Sequence, residues 1–598
     1  MIKGKPVELN LDAYATGDKV TSRLRWDNKR SVSHTGDISL TSIIRRDLSD
    51  SPTIDARMND SHIVIGDTLW QIKPATIRYH NKVIDVKDLS ISQAQRHINI
   101  GGRISELATD TLRAELADID ISYIMDLVNF HKVDFDGRTT GSIYATSLMK
   151  KPLADAFLQV RDFTFNAANM GDMDLYANWG KQERAIILEA DMKGPMPQHR
   201  TQVSGTIIPG KGMEDGLNLN IKTSHIDLSF LSKYTQGIFS NLQGRASGWT
   251  RVYGPFKLVN LEGDMFVDEM KMHVLALGTD YHLAGDSVTL RPDNIWLRGG
   301  HVYDHIGIPG MTEHMATVDA HLMHNSLKDL RFDINIDAHN FLGYNFPHQG
   351  SMNFYGVAYA DAQVHMSGEP GTVNIDVSAT PMPGTTIMYN VATPGTVTET
   401  EFVTYGPLTT PDGEDTATAA MEADGEMPES GTADIHLNFD IDANPDAQIR
   451  LLMDPRAGDN ITLGGNGRLH ANYYNKGRFQ LFGTYRISEG NYRMSIRDLI
   501  RKDFTFQPDG TIIFGGDAMK AALNLKATHT VPNVSLDDLG TNGLGLSNTR
   551  VDCIMNIGGI ARDPVITFDF DIPNANEDEK QMIRSMLNTE EERDMQAI

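Results

Sequence analysis

The chain has 598 residues, with 54 Lys and Arg against 79 Asp and Glu, a formal charge of −25. That balance argues against nucleic acid, which needs clustered cations to displace counterions, and against adhesion to anionic lipid surfaces. One cysteine excludes an internal disulfide, and no run approaches the ~18 consecutive apolar residues of a membrane-spanning helix.

Met1-Ile2-Lys3-Gly4 runs straight into Val7/Leu9/Leu11/Ala13, an apolar–polar alternation with no visible leader. The same rhythm returns at Leu217/Leu219/Ile221, Phe332/Ile334/Ile336, Val373/Ile375/Val377, Ile435/Leu437/Phe439/Ile441, Leu523/Leu525/Ala527 and Ile566/Phe568/Phe570/Ile572. Side chains alternate faces along a strand, so each tract predicts a ribbon with one apolar side and one wet side. Strands at ~40–45 and ~4.8 Å apart predict an array on the order of 200 Å long.

An internal repeat has an offset of 107 residues. Ile119-Asp120-Ile121-Ser122-Tyr123-Ile124 matches Ile226-Asp227-Leu228-Ser229-Phe230-Leu231, Gly137-Arg138 matches Gly244-Arg245, and Gly141 matches Gly248. Short helices are predicted at Tyr123–Phe130 and Phe230–Phe239. Repetition implies an elongated array whose units pack mainly on their neighbours. The expected organisation is an extended β region over 1–404, with its repeat near 119–163 and 226–270. An acidic loop over 405–431, a second β block over 432–573 and an acidic amphipathic helix over 574–598 follow.

Chemistry-bearing constellations are few. His301, His305, His314, His321 and His324 lack metal-ligand spacing and have no Cys pair beside them. The glycines at 464–467 and 540–545 fit hairpin turns better than a phosphate cradle. Carboxylate pairs such as Asp440/Asp442 and Asp569/Asp571 fall on wet faces. No catalytic centre, metal or cofactor is expected, and Cys553 reads as a small buried hydrophobe.

The block Gly483-Thr484-Tyr485-Arg486-Ile487-Ser488-Glu489-Gly490-Asn491-Tyr492, followed by Phe504-Thr505-Phe506, Asp509-Gly510-Thr511-Ile512-Ile513-Phe514 and Gly558-Gly559-Ile560-Ala561-Arg562-Asp563-Pro564, resembles the C-terminal domain of the TamB family. Upstream stretches such as Ile98-Asn99-Ile100-Gly101-Gly102 look similar to that family's extended β region. The resemblance implies an all-β fold, an elongated U-shaped groove of many stacked strands with an apolar concave face and a few short helices. It also implies a periplasmic setting, inner-membrane anchoring in the full-length protein, and phospholipid movement between two membranes in support of outer-membrane assembly. The implied partners are phospholipid acyl chains, the inner membrane through an N-terminal anchor, and an outer-membrane barrel of the TamA/BamA type. The sequence then reads as a fragment lacking that anchor and the family's last strands.

Joined to the alternation, the resemblance predicts a groove lined by Leu437, Phe439, Ile441, Phe504, Phe506, Ile512, Phe514, Leu523, Leu525, Ile566, Phe568 and Phe570. The competing arrangement is a closed sandwich core of the same residues. The competing class is a secreted or surface β-structural binder of the adhesin type, expected to show shorter and more regular repeats.

Overall fold

The computed structural model describes residues 8–28, 34–48, 50–65, 68–123, 133–180, 184–210, 212, 215–348, 354–390, 434–454, 458–477, 479–496, 500–535 and 549–586. Among them, 35 strands join in a single sheet. Short helical segments interrupt it at Leu228–Lys233, Ala518–Lys520 and Glu577–Met586, and residues 121–123 are helical as well. The chain is all-β, as the alternation and the resemblance require, and the sheet forms an elongated groove.

Successive strands pair as an antiparallel meander, so most of the array is built from neighbours in sequence. Six rungs consist of two strands laid end to end, as Thr372–Pro381 and Thr386–Asn390 do beside Phe354–Glu369. The 35 strands less those six doublings leave 29 rungs. At ~4.8 Å per rung the described array extends on the order of 140 Å, shorter than the sequence estimate because 35 strands are described rather than ~40–45 and because paired half-strands share a rung. The one parallel step lies on either side of residues 391–433, where Thr372–Pro381 pairs with Asp434–Ala443 and Thr386–Asn390 with Gln448–Asp454.

Six of the strands carry bulges of one kind. Between Val86 and Leu89, Leu116 and Ile119, Val160 and Phe163, Thr223 and Ile226, Leu297 and Gly300, and Ala338 and Phe341, the strand advances three residues while a neighbouring strand advances two. Two residues therefore oppose one, which is a β-bulge that turns the strand. The residue just before the ladder resumes has positive φ each time: Asp88 (61°), Asp118 (55°), Asp162 (52°), His225 (60°), Gly299 (60°) and Asn340 (44°). Asp, Asn, His and Gly tolerate this left-handed conformation better than branched residues do.

The bulge would orphan one backbone N–H, and at five of the six the single opposing residue supplies a side-chain acceptor; opposite Asp88 stands Gly101, which has none to offer. Asp118 N–H donates to Thr140 Oγ1 at 3.1 Å, Asp162 to Asp172 Oδ1 at 3.1 Å and His225 to Ser247 Oγ at 3.0 Å. Gly299 and Asn340 donate to Asp319 and Asp361, both at 2.8 Å. Because the bulge adds one residue, alternation changes phase there. Val86 and Leu89 both face inward, and so do Val160 and Phe163. Clusters then join side chains from both limbs: Trp70 packs with Leu116 and Ile119, and Leu463 with Leu469.

The repeat anchors mark bends and close approaches. Asp227 accepts from the Ser229 N–H at 2.9 Å and caps the helix Leu228–Lys233, while Asp120 accepts from the Ser122 N–H at 3.0 Å. That helix starts two residues earlier and ends sooner than predicted, because a strand begins at Phe239. In the first copy, residues 124–130 lie outside the described residues, as do 391–433 with the predicted acidic loop. The predicted C-terminal helix is present as Glu577–Met586, closed by a capping box in which Asn576 and Glu579 exchange bonds of 2.8 and 2.9 Å. Its continuation, 587–598, lies outside the described residues.

A Cβ on Gly141 would lie 2.1 Å from the Phe157 carbonyl oxygen, and one on Gly248 2.3 Å from that of Asp264. Gly141→Ala is therefore expected to cost about 2–3 kcal/mol in a urea melt followed by circular dichroism. Gly515→Ala, with nothing within 4 Å of its Cβ, is expected to cost less than about 0.5 kcal/mol.

Candidate functional site

The bends keep one apolar face continuous across the sheet. Met265, Val288, Leu297, Ala320, Ile334, Met366, Ile375, Leu437 and Tyr473 are successive cross-strand partners, each facing the next. Further along, Ile441 faces Leu469, Leu469 faces Gly483, and Gly483 faces Phe514. Phe506, Ala527, Met555 and Phe568 form a parallel ladder beside it. Cross-strand pairs of this kind stabilise the sheet, and together they make an apolar stripe perpendicular to the strands.

The outer face is wet and cross-linked by charge. Lys193 pairs with Asp174 at 2.7 Å and Arg200 with Asp191 at 2.7 Å, each between neighbouring strands. The Lys193 ammonium holds the Asp174 carboxyl below its ordinary range, outweighing the opposing effect of burial. Such exposed pairs contribute modestly and mainly fix register.

The twelve residues predicted to line the groove fall into three environments. Phe504, Phe506 and Leu525 are buried, and Ile441, Ile512, Phe514, Leu523 and Phe568 pack half-buried against the same cluster. The Phe504 and Phe568 rings stand 6.3 Å apart. Burial in this cluster pushes the Tyr485 phenol up to about 12. Leu437 and Phe439 are half-buried on the stripe outside any buried cluster, while Ile566 is 41% exposed on the last strand, Asp563–Asp571. Phe570 packs instead with Ile572, Ala575 and Ile583, under the helix Glu577–Met586, so the chain itself covers it.

The floor of the groove is thus filled by the protein at several stations. Phe230, on the helix Leu228–Lys233, packs on Phe165 with ring centroids 5.6 Å apart, and Tyr123 packs edge-on against Trp70 at 6.0 Å. Higher on the wall the apolar face is open. A cavity of about 400 Å³ is lined by Leu148, Ala154, Ala156, Ala177, Trp179 and Ile186. Sequence reasoning missed it, because the room is made by three alanines among larger neighbours, small side chains that leave space rather than make contact. The signal available was the succession Ala145, Ala154, Ala156 and Ala177 on inward positions of adjacent strands.

Among the described residues no group of three or more His, Cys, Asp and Glu is placed to hold a metal ion. No described helix is long and apolar enough to cross a membrane.

A folded-over sheet with one uninterrupted apolar face, closed at its floor and open along a wall, defines an elongated β-groove. Residues 308–597 match the family model described as TamB C-terminal domain, so this part of the chain carries that family's C-terminal domain. No curated protein and no solved structure matches the chain.

Two residues placed in one class by sequence should behave differently. Phe504→Ala, at 1% exposure, is expected to cost about 3–5 kcal/mol in urea unfolding, and Ile566→Ala less than about 1 kcal/mol. Cys553 lies in the same buried cluster, and burial raises its thiol. Thiol labelling at neutral pH should therefore be negligible in the native chain and complete once urea unfolds it.

Proposed function

We propose that this chain is a non-enzymatic periplasmic bridge that shields lipid acyl chains as phospholipid passes between inner and outer membrane. The observation that carries this reading is the apolar stripe, unbroken by a charged pair from Met265 to Tyr473 and bordered by an open wall. Uncovered apolar surface of this extent calls for a guest or a partner. Each acyl CH₂ leaving water gains roughly 0.8 kcal/mol, at every rung alike, so a chain can slide along the stripe without a deep trap. An array on the order of 140 Å suits reach across a gap better than retention of one small molecule.

The match of residues 308–597 to the TamB C-terminal domain supports the same reading, since that family serves translocation and assembly at membranes. An outer-membrane barrel of the TamA/BamA type is the proposed receiver, and an inner-membrane anchor on the full-length protein the proposed donor end. In this scheme Leu437, Phe439, Ile441, Ile512, Phe514 and Leu523 contact the guest. Phe504, Phe506, Leu525 and Phe570 form the support beneath it.

The test is a photocrosslinking side chain at Leu523, with lipid capture read by mass spectrometry. Phe514→Glu should lower capture by at least ~10-fold while the β spectrum persists, because a carboxylate in the stripe must be desolvated by every passing chain. A wild-type chain that captures no lipid, or a variant that unfolds, would instead favour a sealed core.

A further inference from the structure

The last strands of the described sheet, Ala522–Val534, Thr549–Ile560 and Asp563–Asp571, end in a small apolar cluster of their own. Phe570 on the final strand and Ile572 just past it are buried, and Val534 and Val551 pack half-buried against them. Phe570 faces Cys553, two positions beyond the inward pair Met555 and Phe568, so the cluster continues the apolar face of the groove. Its cover comes from outside the sheet: Ala575 closes over it from the turn after Ile572, and Ile583 from the helix Glu577–Met586, at 8% and 1% exposure.

A helix at the end of a sheet commonly blunts the edge strand, and this one does not. Among the described residues Asp563–Asp571 pairs on one side only, with Thr549–Ile560, and its Val565 and Ile566 stay 60% and 41% exposed. The helix lies instead over the inward face, beside the ladder of Phe506, Ala527, Met555 and Phe568.

Its attachment is light. Among the described residues Ile583 is the one helix side chain in the buried cluster. Lys580 adds an ion pair to the sheet, with Asp571 at 3.0 Å, while its other partner, Glu577 at 3.4 Å, belongs to the helix itself. The capping box of Asn576 and Glu579 is likewise internal. A helix of 10 residues is marginal by itself, so its order depends on its seat. The helix Leu228–Lys233 differs, because the strands Gly216–Asp227 and Phe239–Pro255 hold it from both ends.

We propose that the helix Glu577–Met586 is a displaceable stopper: it occupies the inward face of the last strands in place of an acyl chain, and a guest lifts it to pass. This regulation rests on the conduit reading above. With no guest present the helix keeps water off Phe570 and Ile572, which would otherwise be bare apolar floor. Guest and helix compete for one seat, so each weakens the other's hold by the same factor.

The experiment places a diazirine side chain of leucine size at Val551 of the full chain, with the same side chain at Leu523 as the reference. Lipid captured from phosphatidylcholine vesicles is read by mass spectrometry. Ile583→Asp removes the apolar seat and should raise capture at Val551 by at least ~10-fold, the factor that one buried isoleucine contributes to docking. Lys580→Glu leaves the seat intact but sets a like charge against Asp571 and Glu577, and should raise capture about 3-fold. Capture at Leu523 should be unchanged in both. In the chain without either substitution, adding the vesicles should speed hydrogen exchange at the Ile583 amide. Capture at Leu523 with no rise at Val551 in either variant overturns the stopper alone, and so does exchange at Ile583 that lipid leaves unchanged. Absence of capture at Leu523 in every chain overturns the conduit reading and the stopper with it.

Discussion

Folding a sheet over on itself conflicts with the two-residue alternation of its strands, and the molecule depends on how that conflict is resolved. A strand that turned without a change of phase would carry its apolar side chains out of the groove on one limb. One extra residue at each bend restores the inward face, so Leu116 and Ile119, or Val160 and Phe163, both point to the interior. The extra residue requires a left-handed backbone and leaves an N–H in need of an acceptor. Asp, Asn, His or Gly meets the first need, and a Thr, Ser or Asp on the adjacent strand meets the second.

Alternation made the strands and the apolar face legible in the sequence. The bends were not read from the alternation, which hides their mark: an apolar residue or Thr, any residue, then Asp, Asn, His or Gly, then apolar or Gly. Val86-Lys87-Asp88-Leu89 and Ala338-His339-Asn340-Phe341 are instances. The paired half-strands were not legible, since nothing local distinguishes Thr372–Pro381 and Thr386–Asn390 from two separate rungs. Nor could sequence separate Phe504 from Ile566. Both sit at inward positions of alternating tracts, and only their places in the sheet, interior or edge, make one buried and the other exposed. Phe570 reads as lining and is covered, because the helix after it folds back over the last rungs.

Closure and openness divide along the depth of the groove. Aromatic residues and methionine fill the floor, where Phe163, Phe165, Met170, Met173 and Phe230 gather. Alanines thin the wall above them, at Ala154, Ala156 and Ala177. A filled floor gives the sheet a core strong enough to hold its shape, and a thinned wall leaves room for a guest. The two demands on one apolar face, stability and vacancy, are met by residue size rather than by polarity.

Each rung touches chiefly the rung before and after it, so the sheet has no natural end set by packing. Adding a hairpin lengthens it by roughly 10 Å and exposes no new kind of surface. The segment that recurs at an offset of 107 residues repeats the same local plan along such an array. Reach is consequently a dimension of its own: the molecule behaves as a ruler whose graduations are hairpins, each adding length while keeping the same chemistry.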